Sequence, residues 1–315
     1  MRRPRHPLRE SPPRRGFRAT WALAALGFAL VVLGRFGAVA QRRQRPSSLR
    51  ATVWDFGVTP AGPMRAVVMV PESLREGERL PLLVALHGLG ENQRGVERGA
   101  WGWARDYELG ATDRELRRSP LRRDAFLGFV STERFNRLRA DLRARPYRGL
   151  VVVAPFTPDV LSADAGDLSA AFGQWVVDAL IPRARRELPV IATREATGVD
   201  GVSLGGLAAL EVGLSHPEAF GAVGALQPAV SARVERVMAR VPSGPRPPQR
   251  VRLVSSSHDV FLPSVRALDR AMRARGVSHD LRVVEGPHDY VFNRGAGGVE
   301  MLLFHDRALR GMPAE

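Results

Sequence analysis

The chain has 315 residues, 44% apolar and 25% charged, enough for one large α/β domain once an atypical first 45 residues are set aside. It contains no cysteine, which excludes disulfides, thiolate metal sites and a cysteine nucleophile. The net charge of +15 is concentrated: eleven of the 47 basic residues lie in residues 1–45 beside the single acid Glu10, and the others, all arginine, are scattered among acids. A nucleic-acid surface needs clustered arginines with interleaved aromatics, so no nucleic-acid partner is expected.

In chain order, Arg18 and Arg35 bracket sixteen uncharged, mostly apolar residues from Ala19 to Gly34. That length is short for a membrane-spanning helix and long for the core of a signal peptide. Ala38-Val39-Ala40 offers a small-x-small cleavage site before Gln41, and Arg14-Arg15-Gly16-Phe17 resembles a twin-arginine export signal. Residues 1–45 are therefore expected to be an export signal or membrane anchor, with residues 19–40 the part that engages the membrane. The domain of residues 46–315 would then work outside the cytoplasm: in the periplasm, in the medium, or on the outer face of the cytoplasmic membrane.

Residues 41–50 read as a linker. A series of short apolar runs then predicts strands at Met64–Val70, Leu80–Leu86, Leu150–Ala154, Thr197–Val202, Ala222–Leu226, Val251–Ser255 and Leu281–Val284. Helical patterns fall at Phe172–Glu187, Leu204–Leu214, Pro263–Arg275 and Val299–Leu309. Continuous apolar strands alternating with helices predict an α/β fold with a mostly parallel sheet covered on both faces. A long connection, about 91–148, interrupts this rhythm and predicts a helical insertion after His87-Gly88.

Gly201-Val202-Ser203-Leu204-Gly205-Gly206 is a G-x-S-x-G sequence between an apolar strand and an alanine-rich helix. In that setting it is a nucleophile elbow, whose tight turn needs small residues around an exposed serine. Serine is a weak nucleophile until an imidazole takes its proton and a carboxylate orients the ring. Of the histidines after Ser203, His288 follows a strand and sits in a loop, Gly286-Pro287-His288-Asp289-Tyr290. Asp259, after the strand ending VRLVSS, precedes it with room for a helix and a strand between them. Asp269 falls within that helix and Asp289 adjoins the base, so neither suits the role. Ser203, Asp259 and His288 are thus the expected catalytic residues, in that chain order.

These motifs resemble the α/β-hydrolases, and within them the esterase D-like branch that includes S-formylglutathione hydrolases, feruloyl and acetyl-xylan esterases and mycolyl transferases. The resemblance is carried by Leu86–Gly90 (LHGLG), the GVSLGG elbow with His216–Val223, Ser257–Phe261 (SHDVF) and Gly286–Phe292 (GPHDYVF). It implies an α/β-hydrolase fold and an oxyanion hole made by the backbone N–H groups of Leu89 and Leu204. It also implies an ester substrate, small or polymer-linked, and no cofactor. No metal is expected, because no H-x-x-x-H or comparable ligand pair occurs. An acyltransferase using the same residues, a serine peptidase and a non-catalytic scaffold are the alternative functions.

Overall fold

The computed structural model describes residues 45–162, 165–244 and 247–313. Eight strands make one sheet: β1 (Leu49–Thr59), β2 (Gly62–Pro71), β3 (Leu82–Leu86), β4 (Val151–Pro155), β5 (Thr197–Gly201), β6 (Ala222–Leu226), β7 (Arg250–His258) and β8 (Asp280–Pro287). Their spatial order is β1-β2-β4-β3-β5-β6-β7-β8. The first two form an antiparallel hairpin and β2 meets β4 antiparallel, while every pairing from β4 onward is parallel. Strands β3, β4, β5 and β6 are buried along their whole length, as helices covering both faces of a parallel sheet require; β3, β4 and β6 are unbroken apolar runs, while β5 carries Thr197 and Asp200. This is the expected α/β-hydrolase architecture.

The longer helices are α1 (Leu109–Arg117), α2 (Thr132–Ala144), α3 (Ala165–Trp175), α4 (Ile181–Glu187), α5 (Leu204–Ser215), α6 (Val234–Ala239), α7 (Leu262–Ala274) and α8 (Gly298–Ala308). The helix expected at Phe172–Glu187 begins earlier and consists of α3 and α4 joined by a π-helical turn, Val176–Leu180. Pro182, in the first turn of α4, has no N–H and would crowd the carbonyl four residues back; the wider turn accommodates it.

Two strand expectations need correction. The first strand is not Met64–Val70: Leu49–Thr59 precedes it and pairs from Leu49 opposite Pro71 to Thr59 opposite Gly62. The linker reading of residues 41–50 therefore overran the start of β1. Leu80 lies outside β3 and makes a single parallel bridge to Val190.

The connection from β3 to β4 carries α1, α2 and shorter turns, including a π-helical turn at Gly102–Asp106. Trp103, Phe126 and Leu138 bury their side chains in the core. Phe129 lies against Phe292, ring centroids 5.8 Å apart, so this connection borders the segment that follows β8. Behind β8, buried Glu300 of α8 receives Arg134 of α2 at 2.8 Å and Arg282 of β8 at 2.5 Å. Burial pushes the Glu300 carboxyl upward, but Arg134, Arg282 and Arg252 outweigh that and hold its pKa below the ordinary value.

Among the described residues no helix is long and apolar enough to cross a membrane. Residues 1–44, and with them the expected signal or anchor at residues 19–40, lie outside the described residues.

Candidate active site

The expected site residues gather at the carboxyl ends of β3, β5, β7 and β8. Past β5, Val202 donates to Leu86 O at 3.1 Å and bridges to Leu226, which ties the chain to both flanking strands. Ser203 then adopts φ 57° and ψ −115°, a region that costs a side-chain-bearing residue about 1–3 kcal/mol. The strain is held in place from both sides: Ser203 N–H donates to Leu226 O at 3.0 Å, and Ala229 N–H donates to Ser203 O at 2.9 Å.

Gly205 shows why the turn tolerates no bulk. A Cβ there would stand 2.3 Å from Leu86 O and 2.6 Å from His87 O, both backbone atoms. Gly205→Ala is expected to lower unfolding stability by about 3 kcal/mol, because the strand and the loop after it cannot both retreat. Denaturant titration would read this directly, and a loss under about 1 kcal/mol would contradict the geometry.

His288 and Asp259 meet as expected, with Nδ1 of the ring 2.9 Å from Asp259 Oδ1. The Asp259 side chain is fully buried and also accepts from Ser255 Oγ at 2.7 Å and from Phe261 N–H at 2.9 Å. The Phe261 ring stands edge-on to the imidazole at 5.3 Å. Three donors and one aromatic wall thus fix the carboxylate and the ring plane, leaving His288 Nε2 as the free nitrogen. Among the described residues neither that nitrogen nor Ser203 Oγ hydrogen-bonds to another protein group, so the structure brings Asp259 and His288 into contact but does not join His288 to Ser203. Nucleophile–base hydrogen bonds are often long before substrate binds.

The loop after β3 continues into a four-residue helix, Leu89–Asn92. Gly88 N–H is taken by the Glu91 carboxylate at 3.1 Å. Leu89 and Leu204 each open a helix, where the first N–H has no acceptor within the helix.

His87 lies fully buried beneath this loop. Its Nε2 accepts from Thr157 N–H at 2.9 Å, so Nδ1 carries the proton and donates to Gly88 O at 3.0 Å. Burial lowers its pKa from 6.5 to about 4, against the opposing pull of the Gly88 carbonyl. Between those values the unfolded chain binds a proton that the native one refuses. The resulting stability is complete above about pH 6.5 and is lost as pH falls towards 4, by about 3 kcal/mol in all. Chemical unfolding of wild type and His87→Gln at pH 7 and pH 4.5 should show a steeper decline in the wild type; parallel declines would contradict it.

Among the described residues, the other histidines stand outside the Asp259–His288 hydrogen bond. His305 of α8 pairs with Asp200 at 3.0 Å inside the core, and His279 pairs with Asp269 at 2.9 Å. His216 ends α5, and His258 is exposed at the end of β7. Asp289 caps the turn after His288 by accepting from Phe292 N–H.

The sequence reading missed several residues around the site. Gln227, held at φ 46°, donates to Ser256 Oγ at 2.6 Å and to Pro287 O at 2.8 Å, fixing the residue before the base. Glu91, Tyr107 and Tyr290 join the loop after β3 to the loop after β8. Tyr290 sits inside Gly286–Phe292 and Glu91 directly follows Leu86–Gly90, but nothing in their spacing reveals their contact.

The chain matches the family described as "Putative esterase" over residues 58–293. No curated protein sequence matches it. Among solved structures, it is similar to an S-formylglutathione hydrolase from Agrobacterium tumefaciens, with 17% identity and a TM-score of 0.56, covering 86% of this chain and 99% of that one. An S-formylglutathione hydrolase from Staphylococcus aureus is 12% identical with a TM-score of 0.55, covering 83% and 98% of the two chains. A ferulic acid esterase from Anaeromyces mucronatus, solved with ferulic acid, is 14% identical with a TM-score of 0.55, covering 86% and 94%. At such identities the likeness establishes the fold.

Proposed function

The chain belongs to the Esterase family, and from that premise we propose that it hydrolyses carboxylic esters through an acyl-enzyme formed on Ser203. Ser203 Oγ attacks the acyl carbon while His288 Nε2 takes its proton. The carbonyl π bond opens onto oxygen, and the N–H groups of Leu89 and Leu204 hold the oxyanion. Asp259 keeps Nδ1 protonated and stabilises the imidazolium. As the tetrahedral carbon collapses, the ester C–O bond breaks and His288 returns its proton to the departing alkoxide, releasing the alcohol. Water then repeats the sequence on the acyl-enzyme and releases the acid.

The observation that carries this reading is the Asp259–His288 hydrogen bond, made by an imidazole whose second nitrogen is free, near a serine held in a strained turn. The engagement of Gly88 N–H by Glu91 supports Leu89 as the oxyanion donor of its loop. The substrate is a small or polymer-linked ester. Residues 1–45 act as an export signal or anchor; the charged flanks, the apolar stretch and Ala38-Val39-Ala40 support that part.

The test uses the full chain. A fluorophosphonate should label it once, on Ser203, and p-nitrophenyl esters of increasing length should be hydrolysed with a measurable preference. Absence of both labelling and hydrolysis sinks the proposal. Faster release of the phenol with an added alcohol, together with ester of that alcohol as main product, would favour acyl transfer.

A further inference from the structure

Glu91 is a fully buried carboxylate whose donors come from both sides of the site. Its Oε2 accepts Gly88 N–H at 3.1 Å and the Tyr107 hydroxyl at 2.5 Å. Its Oε1 accepts the Tyr290 hydroxyl, in a short hydrogen bond, and Arg94 Nη2 at 2.6 Å. Gly88 adjoins the oxyanion donor Leu89, and Tyr290 lies two residues beyond the base His288. The two tyrosine rings pack at a tilt of 33°, centroids 5.4 Å apart, and a Cβ on Gly90 would stand 2.7 Å from Tyr290 Oη, so the loops meet without slack.

Further contacts brace the same joint. Arg94 Nε donates to Gly90 O at 3.2 Å and Nη1 to Asp106 at 3.0 Å. Arg294, past the base, donates to Asp106 O at 2.6 Å. Packing alone could have filled this space with apolar side chains. A buried ionised group is costly unless paired and fully hydrogen-bonded, and here the donors are drawn from the loop after β3, the connection that follows it and the segment after β8.

We propose that Glu91 is a positioning residue for the reaction, holding the Leu89 amide and the His288 loop as one rigid unit through Gly88 and Tyr290. The inference rests on the assignment of Leu89 and His288 given above. Charge-assisted hydrogen bonds to a carboxylate are the strong class, suited to fixing an angle that catalysis requires. A donor that stabilises an oxyanion acts in the transition state, so loosening it lowers kcat rather than substrate affinity.

The experiment compares full-chain wild type, Glu91→Gln and Tyr290→Phe, with active sites counted by fluorophosphonate. Tyr290→Phe keeps the ring and removes one hydroxyl, so it remains informative should Glu91→Gln fold poorly. For p-nitrophenyl acetate, each is expected to lower kcat per titrated site by about 10-fold to 10²-fold, with KM changed less than about 3-fold. A trifluoromethyl ketone, which adds to the serine as a tetrahedral oxyanion, should bind more weakly by the same factor as kcat/KM falls. A residue that merely supported the fold would lower the melting temperature without moving either quantity. If either variant, folded and fully titratable, keeps both kcat/KM and inhibitor affinity within about 2-fold of wild type, the proposal is overturned. A wild type that fluorophosphonate never labels would instead overturn the assignment of Ser203.

Discussion

Ser203→Ala is expected to abolish fluorophosphonate labelling and to lower ester hydrolysis by about 10⁴-fold or more, with the fold unchanged. The chemistry loses the atom that bonds to the acyl carbon, and only binding and the oxyanion donors remain to accelerate attack by water. The structure explains why the effect should be confined to activity. Ser203 Oγ has no hydrogen-bond partner among the described residues, whereas the backbone of Ser203 is held by Leu226 and Ala229. Alanine leaves those bonds in place and retains the φ of 57°. Glycine at the same position would also remove the steric cost of that φ and should melt higher than alanine. Hydrolysis of p-nitrophenyl acetate by purified variants decides the matter. An alanine variant with more than a tenth of wild-type activity cannot be reconciled with Ser203 as nucleophile.

Asp259→Asn should be nearly as damaging, with kcat/KM reduced by about 10³-fold to 10⁴-fold at neutral pH. The native carboxylate offers acceptors to three donors: His288 Nδ1, Ser255 Oγ and Phe261 N–H. An amide presents one oxygen and one NH₂ group, so at least one neighbour faces a donor instead of an acceptor. If the NH₂ turns to His288, the ring must expose a lone pair on Nδ1 and carry its proton on Nε2, where it cannot serve as a base. If it turns to Ser255, the imidazolium formed during reaction lacks its counter-charge. Kinetics on a variant of normal melting temperature would test this, and a loss below about 10-fold would remove Asp259 from the proton path.

Much of this was legible in the amino-acid order because two signals are local. Unbroken apolar runs such as LLVAL and VVVAP mark strands buried on both faces, and the turn after β5 demands glycine at Gly201 and Gly205. β1 escaped notice because it is an edge strand, half exposed, with Val53 and Val58 facing solvent. Its Trp54 and Phe56 lean on Trp175 and Arg183 far along the chain. The link between Glu91 and its two tyrosines was hidden for a related reason. Tyr107 lies 16 residues away and Tyr290 lies 199, and neither shares a helix or strand with the carboxylate. Such contacts exist only after the sheet has set its order.

The outermost rib of the sheet has a bearing on how activity should fail. β8 has a strand neighbour along one flank only, β7, while β5 has one on each side. Arg282 of β8 grips the tip of Glu300, and so does Arg134 reaching over from the helical connection. Gentle warming or dilute denaturant that frees this rib would carry the proton acceptor away from a nucleophile still seated at the centre. Turnover would therefore vanish while most of the β platform is still intact.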